Sequence, residues 1–309
     1  MTPKKVIAIA VVAALIYGVV MFFVFQNVDL PPLSGIAAFL IILAAASQIA
    51  AKWFFGLLFR ESLQETGRDI KAFSAFKAAL VGAGVARLIP AGGAITPVAM
   101  SWTVRDETEA SAGPAIRTVL LNYSGLLILA GGAILLERPG GQVASISLTV
   151  AAPIAIVVGL LLMFGSGRLG SLNKYLPGFL RRRLGPTMVN HMPGWESQIY
   201  TWVRLALEAA ALGFVLAAFG LDVSALQVVA AFGFSSLVGG LPGTPGGLGF
   251  VEGGLVLILG FYGFPAGQVL APVFVFRIIS YWLPAALSFV AGGSTFLYSQ
   301  EAAKAASEA

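Results

Sequence analysis

Apolar residues run along this chain in blocks of about twenty, the length that crosses the hydrocarbon core of a bilayer as a helix, and short polar segments separate the blocks. Six blocks read as unbroken crossings: 6–25, 35–59, 115–136, 143–164, 198–219 and 266–296. Two further stretches, 73–104 and 223–261, are as apolar but are interrupted at the centre. "ARLIPAGGAITP" places Arg87, Pro90, Gly92, Gly93 and Pro97 in the middle of the first. "GGLPGTPGGLGFVEGG", residues 239–254, places eight glycines, two prolines and the carboxylate of Glu252 in the second. Proline removes a backbone donor and glycine tolerates sharp turns, so each stretch predicts two half-helices joined by a turn.

The pattern predicts an all-α integral membrane protein of about eight hydrophobic elements. Two of these are Gly/Pro-broken re-entrant helical hairpins. A single polytopic domain is expected over 1–298, with halves at about 1–164 and 198–298 around a basic loop, 165–197, and a short polar tail at 299–309. No small-residue cleavage site follows block 6–25, which is therefore read as a span rather than a removed signal peptide.

Composition narrows the chemistry. Of 309 residues 58% are hydrophobic and 11% charged, and the mean hydropathy is +0.90, outside the range of soluble globular domains. The absence of cysteine excludes disulfides, thiolate metal sites and cysteine nucleophiles. His191 stands alone in a polar loop with no partners at ligand spacing, so neither a metal nor a cofactor is expected. "GTPGGLGF" lacks the lysine and hydroxyl residue of a nucleotide phosphate loop. No serine or cysteine paired with a base suggests an enzyme.

The net charge of +5 reads as topology and contact with anionic headgroups, not as a nucleic-acid surface. With a cytoplasmic N-terminus, and each broken stretch returning to its own face, most loop cations fall inside: Lys4, Lys5, Arg60, Arg68, Lys71, Lys77, Arg105, Arg168, Lys174, Arg181, Arg182, Arg183 and Lys304. Arg117 lies at the inner border and only Arg138 falls outside. A multi-pass cell-membrane protein with both termini cytoplasmic follows. Three crossings separate the broken segments, so the hairpins enter from opposite faces as an inverted repeat, with Pro90 aligned on Pro242. Such paired, broken segments point to a substrate site at the bilayer midplane.

Each ionisable group facing hydrocarbon costs at least about 2.5 to 3.5 kcal/mol, so each needs a partner, water or a function. Lys52, near the end of its span, is expected to snorkel. Arg204 and Glu208, four apart on one helix, either pair with each other or serve a function. Glu252 pairs with Arg277 or with Arg87, and either ion pair is as compatible with structure as with ligand contact. A half-helix starting near Gly247 would turn free N–H donors toward a bound phosphate. Gly131, Gly132, Gly292 and Gly293 read instead as close helix packing.

"LPGTPGGLGFVEGGLVLILGFYG", followed by "FRIISYWLPAALSFVAGG", resembles the C-terminal signature of the lysylphosphatidylglycerol synthase transmembrane-region family, which includes the flippase domain of the bacterial multiple peptide resistance factor. "RLIPAGGAITPVAMSWTVR" resembles that family's other Pro/Gly-rich element less sharply. The resemblance implies movement of lipid between leaflets. Pro242, Pro245, Gly246, Gly247, Gly249, Glu252 and Arg277 match the motif, whereas Arg87 does not. Too few residues follow 298 for a soluble aminoacyl-transfer domain, so synthase activity is not expected.

The substrate-binding candidates are therefore Arg87, Pro90, Gly92 and Gly93 at the first break, Pro242, Gly243, Thr244, Pro245, Gly246, Gly247, Gly249 and Glu252 at the second, and Arg277 between them. Membrane lipids with an anionic or zwitterionic headgroup are the expected partners, and a homo-oligomer or partner enzyme is left open. The residues by themselves require only a polar cargo at mid-membrane. A small-solute or ion transporter with Glu252 as carrier, or a non-transporting accessory subunit, satisfies the same pattern.

Overall fold

The computed structural model describes residues 12, 15, 17–19, 22, 23, 26, 35–88, 92–108, 112–140, 142–168, 171, 174, 191–240 and 244–293. Among these every regular element is helical. The helices are α1 (Gly35–Gln64), α2 (Ala72–Leu88), α3 (Thr96–Thr103), α4 (Ala112–Leu136), α5 (Gln142–Ser166), α6 (Trp195–Ala218), α7 (Ala225–Gly239), α8 (Phe250–Phe261), α9 (Ala266–Arg277) and α10 (Leu283–Ser288). Tight 3-10 turns at Gly92–Ala94 and Pro245–Gly247 join α2 to α3 and α7 to α8, and π-helical turns at Ile278–Trp282 and Phe289–Gly293 flank α10. The chain is thus an all-α membrane protein, as its hydrophobic pattern predicts.

Five helical runs are long and apolar enough to cross a bilayer: Gly35–Gln64, Ala112–Leu136, Ile146–Ser166, Trp195–Ala218 and Ala266–Gly292. They coincide with five of the six unbroken blocks. Most of block 6–25 lies outside the described residues, as do Arg181, Arg182, Arg183 and the 299–309 tail. Within that block Tyr17 is helical, and its hydroxyl donates to the Phe274 carbonyl at 3.3 Å.

The broken stretches behave differently from the spans. Helices α2, α3, α7 and α8 hold 17, 8, 15 and 12 residues. At 1.5 Å per residue, even α2 covers only about 26 Å, short of the roughly 30 Å hydrocarbon core. Each pair folds back on itself: Gly82 of α2 lies against Thr96 and Met100 of α3, and Gly254 of α8 against Ser235 of α7. The described part of α2 ends at Leu88, two residues before Pro90.

Glycine sets the distance between neighbouring helices. A methyl group at Gly56 of α1 would come within 2.7 Å of the Phe76 nitrogen of α2, and one at Gly131 of α4 within 2.6 Å of the Ala152 carbonyl of α5. Gly131 thus meets the close-packing expectation. Gly132 and Gly292 do not, since a methyl at either would meet nothing within 4 Å. The outer face of α5 is a stripe of exposed Ile146, Val150, Ile154, Val157, Leu161 and Phe164, spaced three and four apart, which suits contact with lipid chains.

Polar ties hold the helix ends. Ser224 and Gln227 form a reciprocal capping box at the start of α7, and Glu137 beyond α4 accepts from both side chains. The Tyr262 hydroxyl donates to the Glu137 carbonyl at 2.8 Å; burial, then the Glu137 carboxylate, push that hydroxyl up to about 12, so it stays a donor. At the opposite end of α4, fully buried Arg117 pairs with Glu65, which also accepts from the Gly194 N–H.

Gly56→Ala should destabilise the purified protein by about 1–3 kcal/mol, because the opposing atoms are backbone and cannot rotate away. Gly132→Ala, facing open space on a helix, should be neutral or stabilising by up to about 1 kcal/mol. Thermal melts of both variants in the same detergent check the contrast.

Candidate functional site

Glu252 sits at the third position of α8, close to the break that precedes the helix. Its Oε2 accepts from the Gly249 N–H at 2.8 Å, closing the amino end of α8, and its Oε1 accepts from Arg277 Nε, also at 2.8 Å. Arg277 Nη2 then reaches back to the Gly246 carbonyl at 3.3 Å. Glu252 and Arg277 are both buried, at 8% and 5% exposure. The pairing left open in the sequence is therefore Glu252 with Arg277, and one N–H ahead of the half-helix, that of Gly249, goes to Glu252.

The turn between α7 and α8 needs glycine. Gly246 and Gly247 have φ of 54° and 70°, in the left-handed region that side chains disfavour. Space is also exhausted there. A Cβ at Gly247 would stand 2.6 Å from the Gly239 carbonyl, and one at Gly246 would press on the Tyr281 ring and on Arg87 Cα. Thr244 closes the turn by donating to the Leu248 carbonyl at 2.7 Å.

Arg87 has neutral partners. Its Nη1 donates to the Ala83 carbonyl at 2.6 Å and its Nη2 to the Ser280 carbonyl at 2.8 Å. Ser280 lies in the π-helical turn, four residues before Pro284, a residue with no N–H to return to that carbonyl. The Tyr281 hydroxyl completes the exchange by donating to the Arg87 carbonyl at 2.6 Å. Single π-turns of this kind are frequent at functional sites.

Across from these residues lies a second buried network. Glu208 of α6 accepts from Lys52 of α1 and, through both oxygens at 3.0 Å, from Arg204 Nη2. The Arg204 guanidinium also stacks 4.4 Å from the Phe55 ring centroid. Lys52 does not snorkel as expected. Helix α1 continues to Gln64, which leaves Lys52 twelve residues, or about 18 Å, from that end, too far for its side chain to reach out. It is 2% exposed and paired instead.

Between the two networks opens a cavity of about 220 Å³. Of the sequence candidates, Arg87, Gly93, Thr244, Gly246, Gly247 and Arg277 line it. Pro245 opens the turn, Gly92 opens the corresponding turn after α2, Gly249 is exposed at the start of α8, and Glu252 stands behind Arg277. Pro90, Pro242 and Gly243 lie outside the described residues.

The cavity's other polar wall lies outside the substrate-binding candidates, although Lys52, Arg204 and Glu208 are among the ionisable groups singled out within the apolar blocks. Lys52, Asn122, Arg204, Glu208 and Ser280 all contribute to it. Tyr123 stands between the two breaks: a methyl at Gly93 would lie 2.9 Å from its hydroxyl, and one at Gly240 3.0 Å. A polar residue inside the apolar α4 block was the available signal for Asn122.

The family model for the lysylphosphatidylglycerol synthase TM region matches residues 5–288. The chain belongs to this family. Two UPF0104 membrane proteins of Methanothermobacter thermautotrophicus share 33% identity over 85 residues and 38% over 87 residues with it. These matches cover 28% and 27% of this chain and a quarter of each relative. Within the family's motif in this chain, Gly246, Gly247, Glu252 and Arg277 build the sealed turn, while Arg87 lies outside the motif yet joins the same cavity.

Removing one partner of a buried ion pair strands the other charge, so Glu252→Gln and Arg277→Met should each destabilise the protein by about 3 to 5 kcal/mol. The double variant should lose less than the sum. A double-mutant cycle from thermal or denaturant unfolding in detergent reads the coupling.

Proposed function

We propose that this protein is a lipid translocase, in which a phospholipid or glycolipid headgroup passes between leaflets through the cavity while its acyl chains stay in the bilayer. The observation that carries this reading is the cavity itself, walled by charges of both signs in an otherwise apolar bundle and bordered by two helix breaks. Irregular backbone at membrane depth is tolerated only where protein or a water-filled space surrounds it. Ionisable groups inside spans mark substrate or ion paths in the same way. In this reading the α2–α3 and α7–α8 pairs are re-entrant hairpins entering from opposite faces of the cell membrane, with both termini cytoplasmic, as the distribution of loop cations favours. Family membership supports a lipid as the cargo. The chain acts by transport, not by catalysis.

Glu252 favours this reading over one in which it carries a proton or ion. Both of its oxygens are committed, one to the Gly249 N–H and one to Arg277, so releasing it would open the turn.

Reconstitution into phosphatidylcholine vesicles with fluorescent lipids tests the proposal. Exchange between leaflets should exceed that of protein-free vesicles by roughly tenfold or more. Ser236→Trp, which fills the cavity from a half-buried position, should return the rate to background while the melting temperature is kept. Exchange no faster than in protein-free vesicles across a broad panel of headgroups overturns the reading.

A further inference from the structure

We infer that the cavity selects lipids whose headgroup ends in a phosphate monoester. This rests on the translocase reading and names its cargo. Four cations line the cavity, Lys52, Arg87, Arg204 and Arg277, against the carboxylates Glu208 on its wall and Glu252 behind Arg277. Two positive charges are left over among the described residues. Residues 89–91 and 241–243, outside that description, contain no ionisable side chain to offset them.

The surplus has definite locations. Glu252 neutralises Arg277, and Glu208 alone answers both Lys52 and Arg204, so one uncompensated charge lies on that wall. The other is Arg87, whose partners are the carbonyls of Ala83 and Ser280. Lys52 and Arg204 are buried and Arg87 is half-buried, so an anion is the occupant that stabilises this surplus.

Residues of the wall also carry buried polar atoms without partners. Arg204 is 7% exposed, and its buried Nε and Nη1 have no hydrogen-bond partner; the buried Ser280 hydroxyl has none either. A phosphate monoester brings three acceptor oxygens and a charge of about −1.5 to −2 at pH 7, which matches both the donors and the surplus. A phosphodiester brings a single negative charge and leaves one cation unmatched. An ammonium-bearing headgroup fits worst, because it adds positive charge and finds no free carboxylate. All four oxygens of Glu208 and Glu252 already accept from protein donors.

Asn122 supplies the test. It lines the cavity half-buried, its Oδ1 has no partner, and Asn122→Asp changes the charge by one without altering shape or breaking an existing ion pair. The protein in phosphatidylcholine nanodiscs is titrated calorimetrically with short-chain phosphatidic acid, phosphatidylglycerol, phosphatidylcholine and glycerol 3-phosphate. Phosphatidic acid should bind roughly tenfold tighter than phosphatidylglycerol, and tighter still relative to phosphatidylcholine. Asn122→Asp should erase most of that preference. Arg204→Lys, which keeps the charge beside Glu208 and removes the unpartnered guanidinium donors, should weaken phosphatidic acid binding independently.

Equal binding of phosphatidylcholine and phosphatidic acid, or no effect of either variant, overturns the inference. Glycerol 3-phosphate binding as tightly as the lipid, with uptake into vesicles, identifies a soluble phosphate ester as the occupant and overturns the lipid assignment. Leaflet exchange without a preference for phosphatidic acid sinks the selectivity and leaves the translocase standing. Selective binding without any exchange does the reverse.

Discussion

The Glu252 carboxylate connects three parts of the molecule that would otherwise each carry an unmet demand. The α7–α8 turn has carbonyls and N–H groups that no helix ladder satisfies, and packed among helices such groups cannot rely on bulk water. Glu252 takes the Gly249 N–H with one oxygen and Arg277 with the other, and Arg277 passes the connection on to the Gly246 carbonyl. Neither charge would be tolerable alone where both are buried. The turn supplies each with a reason to be there, and together they let glycines with left-handed φ stand in the middle of an apolar bundle.

Arg87 performs a related task from the other hairpin without a carboxylate. It binds the Ser280 carbonyl in a π-helical turn ahead of Pro284, and Tyr281 of that turn donates back to the Arg87 carbonyl. The last span is therefore the common element, since it holds the first hairpin through Ser280 and Tyr281 and the second through Arg277. Its irregularity is what makes this reach feasible. An unbroken α-helix would keep its carbonyls in its own ladder, whereas this one offers a carbonyl to a neighbour.

Periodicity and breakers made the large features legible. Blocks of about twenty apolar residues located the spans, and clustered glycine and proline located the turns, because both signals are local in sequence. The i,i+4 pair of Arg204 and Glu208 was legible for the same reason. Lys52 was misread because apolar character fades after Phe59 while helical geometry continues to Gln64, and burial depth follows the helix, not the hydropathy. Its pairing with Glu208 spans 156 positions, which no local pattern encodes. Asn122 and Ser280 were missed because a single small polar residue in an apolar helix is usually inert, and only the packing of distant helices turns these two toward a cavity.

Stability alone does not account for where the charges stand. Replacing a buried ion pair with apolar residues of similar volume is often neutral or stabilising, so Lys52, Arg204 and Glu208 are not the cheapest way to join α1 to α6. Unpartnered buried donors do not decide the matter, since Arg117, tied to Glu65 at a helix end, keeps two just as Arg204 does. What sets the Lys52–Arg204–Glu208 network apart is its place on the cavity wall, where the cations outnumber the carboxylates. By contrast Glu252 and Arg277, which do seal a turn, satisfy each other and its backbone. The two networks thus differ in balance: in one the carboxylate and guanidinium satisfy each other and the turn, and in the other one carboxylate answers two cations.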